Sequence, residues 1–503
     1  MATLPAVRAT LLATMALLLL GDAQAQTQPP VAAPAVSNLE LLRRLEAAEA
    51  ELRYLRTRDA AHEAWQESII RRLPDPDSSF SPASYYRDSA FGGCPTCLDG
   101  NGCHCESPPP CPGAPDYCDD CLEGLSWNKG GWRIVPFGRL RGEVIYSSAP
   151  YTNDAIIAFL NPNNPGVDED ATSVHAKQSQ LNFAITGPGF DGWDVGGLFV
   201  MNFMGAQPLR NFSGVNVVMA YGEIKNERWR YAFGRMLDLF GPIHPNTVNQ
   251  LQQRGAGNIG IYRGVVHFDR YFTISDQQRW TVSGRLSQPD ISDYAAVPAI
   301  NGQNNGWPNI ETRVGVELGP TCAWGRPLEI GVSGVIGETQ AVLPAIGGGL
   351  ILPAADEVSQ TRGICLDTQI KSERCGFRSE VWWGRGAGTY FVASLQTINP
   401  ETDQAIESVG GWGEIYYKIS PCLTTHVGYG IDDPKNNDLG RLDTTTPGPG
   451  QISYNDVAWW NLLYNVTDNF ELGFEVSRRQ TKFLDPTAAN EGWLFHFSST
   501  LNF

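Results

Sequence analysis

Residues 493–503 read Trp-Leu-Phe-His-Phe-Ser-Ser-Thr-Leu-Asn-Phe. Trp493, Phe495, Phe497, Ser499, Leu501 and Phe503 fall on one side of an extended chain, and Leu494, His496, Ser498, Thr500 and Asn502 on the other. Successive side chains of a strand point to opposite faces, so the first face suits lipid and the second a wet interior. The stretch is also as long as a tilted strand must be to cross a bilayer. It predicts a membrane strand that closes an antiparallel barrel.

The same period-two pattern recurs upstream. Phe470, Leu472, Phe474 and Val476 alternate with Glu471, Gly473, Glu475 and Ser477. Leu423, Thr425, Val427, Tyr429 and Ile431 alternate with Thr424, His426, Gly428, Gly430 and Asp432. Such segments run about nine to twelve residues, longer than is usual in a soluble sandwich. Loop lengths separate the two folds further. Asn226-Glu227-Arg228, Ser420-Pro421-Cys422 and Thr467-Asp468-Asn469 read as tight turns, whereas 149–177, 237–258, 287–309, 338–361 and 433–454 are long. Short turns at one rim and long loops at the other are the habit of a membrane barrel.

The expected strands are 137–147, 179–186, 193–203, 215–225, 229–236, 259–268, 280–286, 310–318, 328–337, 362–371, 376–385, 410–419, 423–432, 455–466, 470–482 and 492–503. That makes about sixteen, an even number that brings both barrel ends to one side. Tyr390–Leu395 has strand character, but reading 386–409 as a long loop preserves the parity. Trp193, Trp229, Trp280, Trp412, Trp459, Trp460 and Trp493 fall near strand ends, which predicts interfacial girdles.

Alternation also selects the inward wall. The candidates are Arg139, Arg141, Glu143, Arg230, Arg285, Glu311, Arg313, Glu317, Arg378, Glu380, Glu414, Glu471 and Glu475. Both signs occur, so selectivity does not follow from the net charge of −17.

Three different regions precede the barrel, which is expected over 133–503. Arg8, an apolar run over Leu11–Leu20 and Ala23-Gln24-Ala25 read as a secretory signal over 1–25, with Gln26 as the expected mature start. The run is too short to span a bilayer as a helix. Over 26–73, Leu41, Leu45, Ala48, Leu52 and Leu55 trace an a/d seam with charged residues between them, a short coiled coil that association with identical copies would stabilise. The third region, 74–132, is rich in Pro, Gly and Cys and carries Cys94, Cys97, Cys103, Cys105, Cys111, Cys118 and Cys121. Disulfides suit an oxidising compartment; zinc bound by the CxxC pairs and partly free thiols are the other readings. The total of 11 cysteines is odd, so at least one stays free, binds metal or pairs with another chain. The acidic balance argues against nucleic acid and anionic lipid surfaces as partners.

The order of signal, short coiled coil, linker and about sixteen strands resembles the DcaP-like porins, trimeric outer-membrane channels with a periplasmic coiled coil. Trp229–Phe240 with Pro245-Asn246-Thr247 looks like that family's strand and the start of its third loop, and Gly410-Gly411-Trp412 leading into Glu414–Tyr417 looks like a later strand. The terminal Phe503 resembles the signature that outer-membrane assembly machinery recognises. The cysteine-rich insert departs from the family pattern. The resemblance implies a homotrimer in outer-membrane lipid, without a cofactor, passing ions and small hydrophilic solutes. It also implies that 237–258 folds inward and narrows the pore, with Asp238, His244, Asn249 and Arg254 as constriction candidates among further polar residues.

An enzyme and an envelope tether are the rival readings. His496 and Ser498 share a face, yet no Gly-x-Ser-x-Gly motif or supporting cluster accompanies them. The coiled coil and cysteine-rich region would let the chain grip the cell envelope while the barrel only anchors it.

Overall fold

The computed structural model describes residues 126–503 apart from 152–156, 164–169, 206–213, 290–305, 323–324, 342–356, 400–401, 403 and 441–449. The signal, the coiled coil and the cysteines of 94–121 lie outside the described residues.

Among the described residues, eighteen strands form one antiparallel sheet. They are β1 (Trp127–Lys129), β2 (Trp132–Ser147), β3 (Ala171–His175), β4 (Gln180–Phe190), β5 (Trp193–Gly205) and β6 (Gly214–Lys225). Next come β7 (Trp229–Leu237), β8 (Tyr262–Ser275), β9 (Gln278–Ser287), β10 (Asn309–Leu318), β11 (Leu328–Ala341) and β12 (Glu357–Lys371). The last six are β13 (Cys375–Arg385), β14 (Glu407–Ser420), β15 (Leu423–Pro434), β16 (Ile452–Thr467), β17 (Phe470–Phe483) and β18 (Asn490–Asn502). Among the described residues helical structure is limited to single 3-10 turns, and no helix there is long and apolar enough to cross a membrane.

The eighteen strands make sixteen staves. β1 is a three-residue spur that pairs only with the start of β2. β3 and β4 are two parts of one stave, pairing with Glu143–Ser147 and Arg133–Arg139 of β2 respectively. At the break between them the Ser179 hydroxyl accepts the Arg141 amide (2.9 Å) in place of a ladder carbonyl. The barrel closes where β18 pairs with β2, from Leu494 opposite Ser147 to Asn502 opposite Arg139. Phe503 continues that ladder by exchanging two backbone hydrogen bonds with Gly138 (2.8 and 3.0 Å). The stretch 386–406 forms no stave, as the parity argument expects.

The closing strand shows why the wall curves closed. Trp493, Phe495, Phe497 and Leu501 are exposed outward, whereas Leu494, His496, Ser498 and Thr500 are buried inward. A sheet that is apolar outside and polar inside must enclose its polar face, and closure also removes unpaired strand edges. At the rim beside Phe503 the connections are short, three residues or fewer at Asp191-Gly192, 226–228, 276–277, 372–374, 421–422 and 468–469, with 319–327 the exception. Asp191 and Gly192 both have positive φ (46° and 78°), the primed-turn conformation that suits twisted strands. The opposite rim carries the long connections, together with the shorter 484–489.

Two of the tryptophans assigned to girdles do not belong there. Trp412 and Trp459 are 3% exposed and point inward, packed with Ala256 and Val457. Their positions share the parity of Glu414 on β14 and Asn461 on β16, which is the inner face. Trp280, Trp460 and Trp493 do stand exposed on the outer surface.

Candidate channel lining

The segment from Asp238 to Ile261, between β7 and β8, lies inside the barrel. Its backbone amides cannot use a strand ladder, and an unpaired buried amide is costly. Wall carboxylates accept them instead. Leu239 N–H donates to Glu311 on β10 (2.7 Å), Ile243 to Glu380 on β13 (3.0 Å), Asn246 to Glu414 on β14 (2.9 Å) and Val248 to Glu475 on β17 (2.7 Å). Arg141 on β2 completes the series, donating to the Val248 carbonyl (2.6 Å). Acids on four staves and one arginine thus carry the segment around the wall.

The root of the segment is clamped by a fully buried ion pair. Arg263 on β8 donates Nε to Asp238 Oδ1 (2.7 Å) and Nη2 to Oδ2 (3.0 Å), and Asp238 also accepts the Ile261 amide (2.9 Å). Arg285 donates to the Leu237 carbonyl at the same place. The wall is glycine where the segment lies closest. A Cβ at Gly430 would stand 2.2 Å from the Ala256 carbonyl oxygen, and one at Gly257 2.2 Å from that of Gly411.

A second inward segment, from Gly386 to Ile406, packs against the first. Tyr390 is buried against Phe240, and the Arg263 guanidinium lies 3.8 Å from its ring centre. The Tyr390 hydroxyl donates to Glu311 (3.1 Å), and Asp432 on β15 accepts the Ser394 amide (2.6 Å). Part of the β2–β3 connection is inside as well: Arg479 donates to the Ala158 carbonyl (2.6 Å), and Leu160 N–H to Thr481 (3.0 Å). Seven described non-glycine residues have positive φ, and six of them lie in the first two segments: Gln252, Gln253, Phe391, Ala393, Ser394 and Leu395. Strain of that kind persists only where surrounding contacts dictate it.

The four constriction candidates are engaged within this framework. Asp238 faces Arg263. Arg254 donates Nε to the Gly260 carbonyl (2.6 Å) and Nη2 to His244 Nε2 (3.0 Å), while His244 Nδ1 lies 3.4 Å from Asn258 Oδ1. Burial, with the Arg254 charge second, holds His244 well below the usual histidine range. That agrees with a neutral ring whose Nε2 accepts. Asn249 Oδ1 accepts the Leu251 amide (3.0 Å), a local turn bond. The structure brings Arg254 and His244 together and leaves Asp238 and Asn249 in separate contacts.

Nearer the short-turn rim the pattern inverts. Arg230, Arg313 and Arg378 keep side-chain exposures of 21%, 20% and 19%, while their partners Glu223, Asp367 and Glu414 are at 3%, 1% and 0%. Arg139 is half-buried and donates to Gln250 of the crossing segment (2.7 Å), and Glu471 is half-buried too. At these three pairs guanidinium groups border the remaining lumen with carboxylates behind them, whereas at Glu317 the order is reversed, the acid at 32% and its partner Arg326 at 10%. Glu143 lies deeper, buried between Arg141 (3.0 Å), His496 (3.1 Å) and His175 (3.4 Å). His496 thus faces Glu143, and the Ser498 hydroxyl has no hydrogen-bond partner. Sequence reasoning passed over Arg263, Tyr390 and Asp432. Arg263 shares the inward parity of Asp269, which is the signal that was available; Tyr390 and its contacts had none.

Neither a scan of family models nor a search of curated proteins finds a match. Among solved structures, the outer membrane channel DcaP of Acinetobacter baumannii is similar at a TM-score of 0.58 and 18% identity, over 75% of this chain and 99% of that one. OmpT of Vibrio cholerae and OmpF of Salmonella typhi each align with 75% of this chain at 10% identity, with TM-scores of 0.45 and 0.44, too low to carry an argument. The first likeness establishes the fold: this chain is built as that channel is built.

Proposed function

We propose that the protein is an outer-membrane porin, a passive channel for ions and small hydrophilic solutes, with a preference for anions. The observation that carries the reading is the inner wall toward the short-turn rim. There Arg230, Arg313 and Arg378 stay partly hydrated while the carboxylates they pair with are withdrawn from solvent. Charged rings set the ion sign of a pore. The crossing segment 238–261 would narrow the passage, with Asn246 and Gln250 on its half-buried edge. The resemblance noted from the sequence adds a homotrimer and a periplasmic coiled coil, and residues 1–25 themselves suggest a signal peptide removed at export. The chemistry requires no catalytic group and no cofactor.

The test is single-channel recording of the purified, folded protein in planar bilayers under a salt gradient. Stepwise currents with a reversal potential of the anion-selective sign are expected. Stepwise currents of the opposite sign would refute the anion preference, and none from folded protein would refute the porin.

One observation favours a second reading, a tether to the cell envelope. Three connecting segments fold into the long-rim half, and their buried apolar residues pack there as a core. A tether predicts a folded barrel that passes no current.

A further inference from the structure

Two arginines stand side by side on the outer surface toward the long-loop rim. Arg362 on β12 lies directly opposite Arg385 on β13, and both are exposed. Their positions share the outward parity of the exposed Ile364, Leu366 and Ile370 on β12 and of Phe377 and Val381 on β13. Directly opposed residues have Cβ atoms about 4.5–5.5 Å apart, and like charges so placed repel. Among the described residues no carboxylate forms an ion pair with either guanidinium. Glu407 stands opposite Arg385 on β14 without bridging to it. The side-chain bond that Arg362 makes runs from Nη2 to the Gln360 amide oxygen. Toward the same rim other outward cations are met: Arg478 by Glu491 (2.7 Å), and the Lys482 ammonium by the face of Tyr454 (4.5 Å).

Height narrows what could meet this pair. The paired stretch from Arg362–Arg385 down to Ile370–Phe377 covers nine positions on each strand, about the number a tilted strand needs to cross a bilayer. Of the outward residues beneath the pair only Thr368 and Ser379 are polar. Trp383, half-buried, is the next outward residue below Arg385, and tryptophan favours the membrane interface. On the reading of the barrel as an outer-membrane protein, the two charges therefore stand at headgroup level in the leaflet beside the long, extracellular loops.

We propose that Arg362 and Arg385 together hold a phosphate monoester on the headgroup of a lipid in that leaflet. A dianion seated between two guanidinium groups replaces their repulsion by two attractions. Each planar fork can give parallel N–H···O bonds to phosphate oxygens, which an ammonium cannot do. The chain's net charge of −17 disfavours a general attraction to anionic lipid. The arginine pair is a local exception, and it would select one phosphorylated headgroup rather than a charged surface. The inference rests on the barrel standing in the membrane, not on its conducting.

Native mass spectrometry of the purified full chain in detergent tests this, with diphosphoryl lipid A and its dephosphorylated form as probes. Wild type should retain the phosphorylated lipid in clear preference to the other. Arg362→Ser with Arg385→Ser should weaken that retention at least about tenfold, with the barrel still heat-modifiable on gels. Arg270→Ser serves as the control. It removes an outward arginine toward the opposite rim, stacked 4.1 Å from the Trp229 ring centre, and should leave retention unchanged. Equal retention by the double variant would overturn the proposal, as would equal retention of both lipids by wild type. Inorganic phosphate protecting the barrel from unfolding as well as the lipid does, at equal concentration, would assign the pair to the free ion and overturn it too. Conductance is read separately: a barrel that binds the lipid through this pair but passes no current would refute the porin and leave the lipid site standing.

Discussion

On β10, Glu311 is fully buried beneath the crossing segment, whereas Arg313, one inward position nearer the short-turn rim, is half-exposed. β13 repeats the contrast with Glu380 and Arg378. The step between such positions is about 7 Å of strand, yet it separates two environments. In the long-rim half the wall meets peptide, and the acids there accept amides that lack a ladder. In the short-rim half the wall meets solvent, and Arg230, Arg313 and Arg378 stay hydrated with their carboxylates behind. Inward charge on a barrel wall therefore has two uses, and what occupies the lumen at that height decides between them.

The crossing segment is most vulnerable at its root. Arg263→Ala leaves Asp238 buried without its ion partner, and losing one member of a buried pair costs about 3–5 kcal/mol. Heat-modifiability on gels and urea unfolding in detergent should both show a large loss of stability. Unchanged stability would mean that the pair does not hold the segment. Gly257→Val acts on the segment more than on the wall, because the added Cβ would stand 2.2 Å from the Gly411 carbonyl oxygen. The segment should lift from β14 and β15, and single-channel conductance should change by a factor of about two or more while the barrel stays folded. Conductance equal to wild type would show that the segment does not narrow the passage.

Much of the wall was legible in the sequence, and the physical reason is its period. Alternation in β17 and β18 identified Glu471, Glu475, His496 and Ser498 as inward, and short turns such as Thr467-Asp468-Asn469 separated the rims. The same parity would have moved Trp412 and Trp459 to the inner face; nearness to a strand end misplaced them. The contents of the lumen were not legible. Alternation says that Glu380 points inward but not that the Ile243 amide, 137 residues away, waits there. Nor does local pattern show that Tyr390, in a stretch with strand character, turns in to meet Glu311.

Selectivity sharpens the contrast directly. Arg313→Ser with Arg378→Ser removes two half-exposed charges, and an effect of about 1 kcal/mol on ion preference corresponds to roughly a fivefold change in permeability ratio. The reversal potential should move toward cations. Glu311→Gln with Glu380→Gln removes the same number of charges one step away, where the segment covers them. That pair should alter the ratio far less. Equal shifts from the two doubles would erase the distinction between the halves.

The smallest expected effect concerns His244. Burial and the Arg254 charge lower its pKa, so the folded protein favours the neutral ring more than the unfolded chain does. The sign follows from linkage: the folded state binds fewer protons near this site as pH falls through the ordinary histidine value of about 6.5. The stabilisation is thus fully present above that value and erodes below it, as pH approaches the depressed one. His244→Gln removes the titration while keeping a side chain that can hydrogen-bond to Arg254 or Asn258. The stability of wild type relative to this variant should be flat above about pH 6.5 and should decline on acidification. Wild type gaining on the variant in acid would mean that the ring is protonated in the fold. Its Nε2 could then not accept from Arg254, and the segment would be held together by other contacts than these.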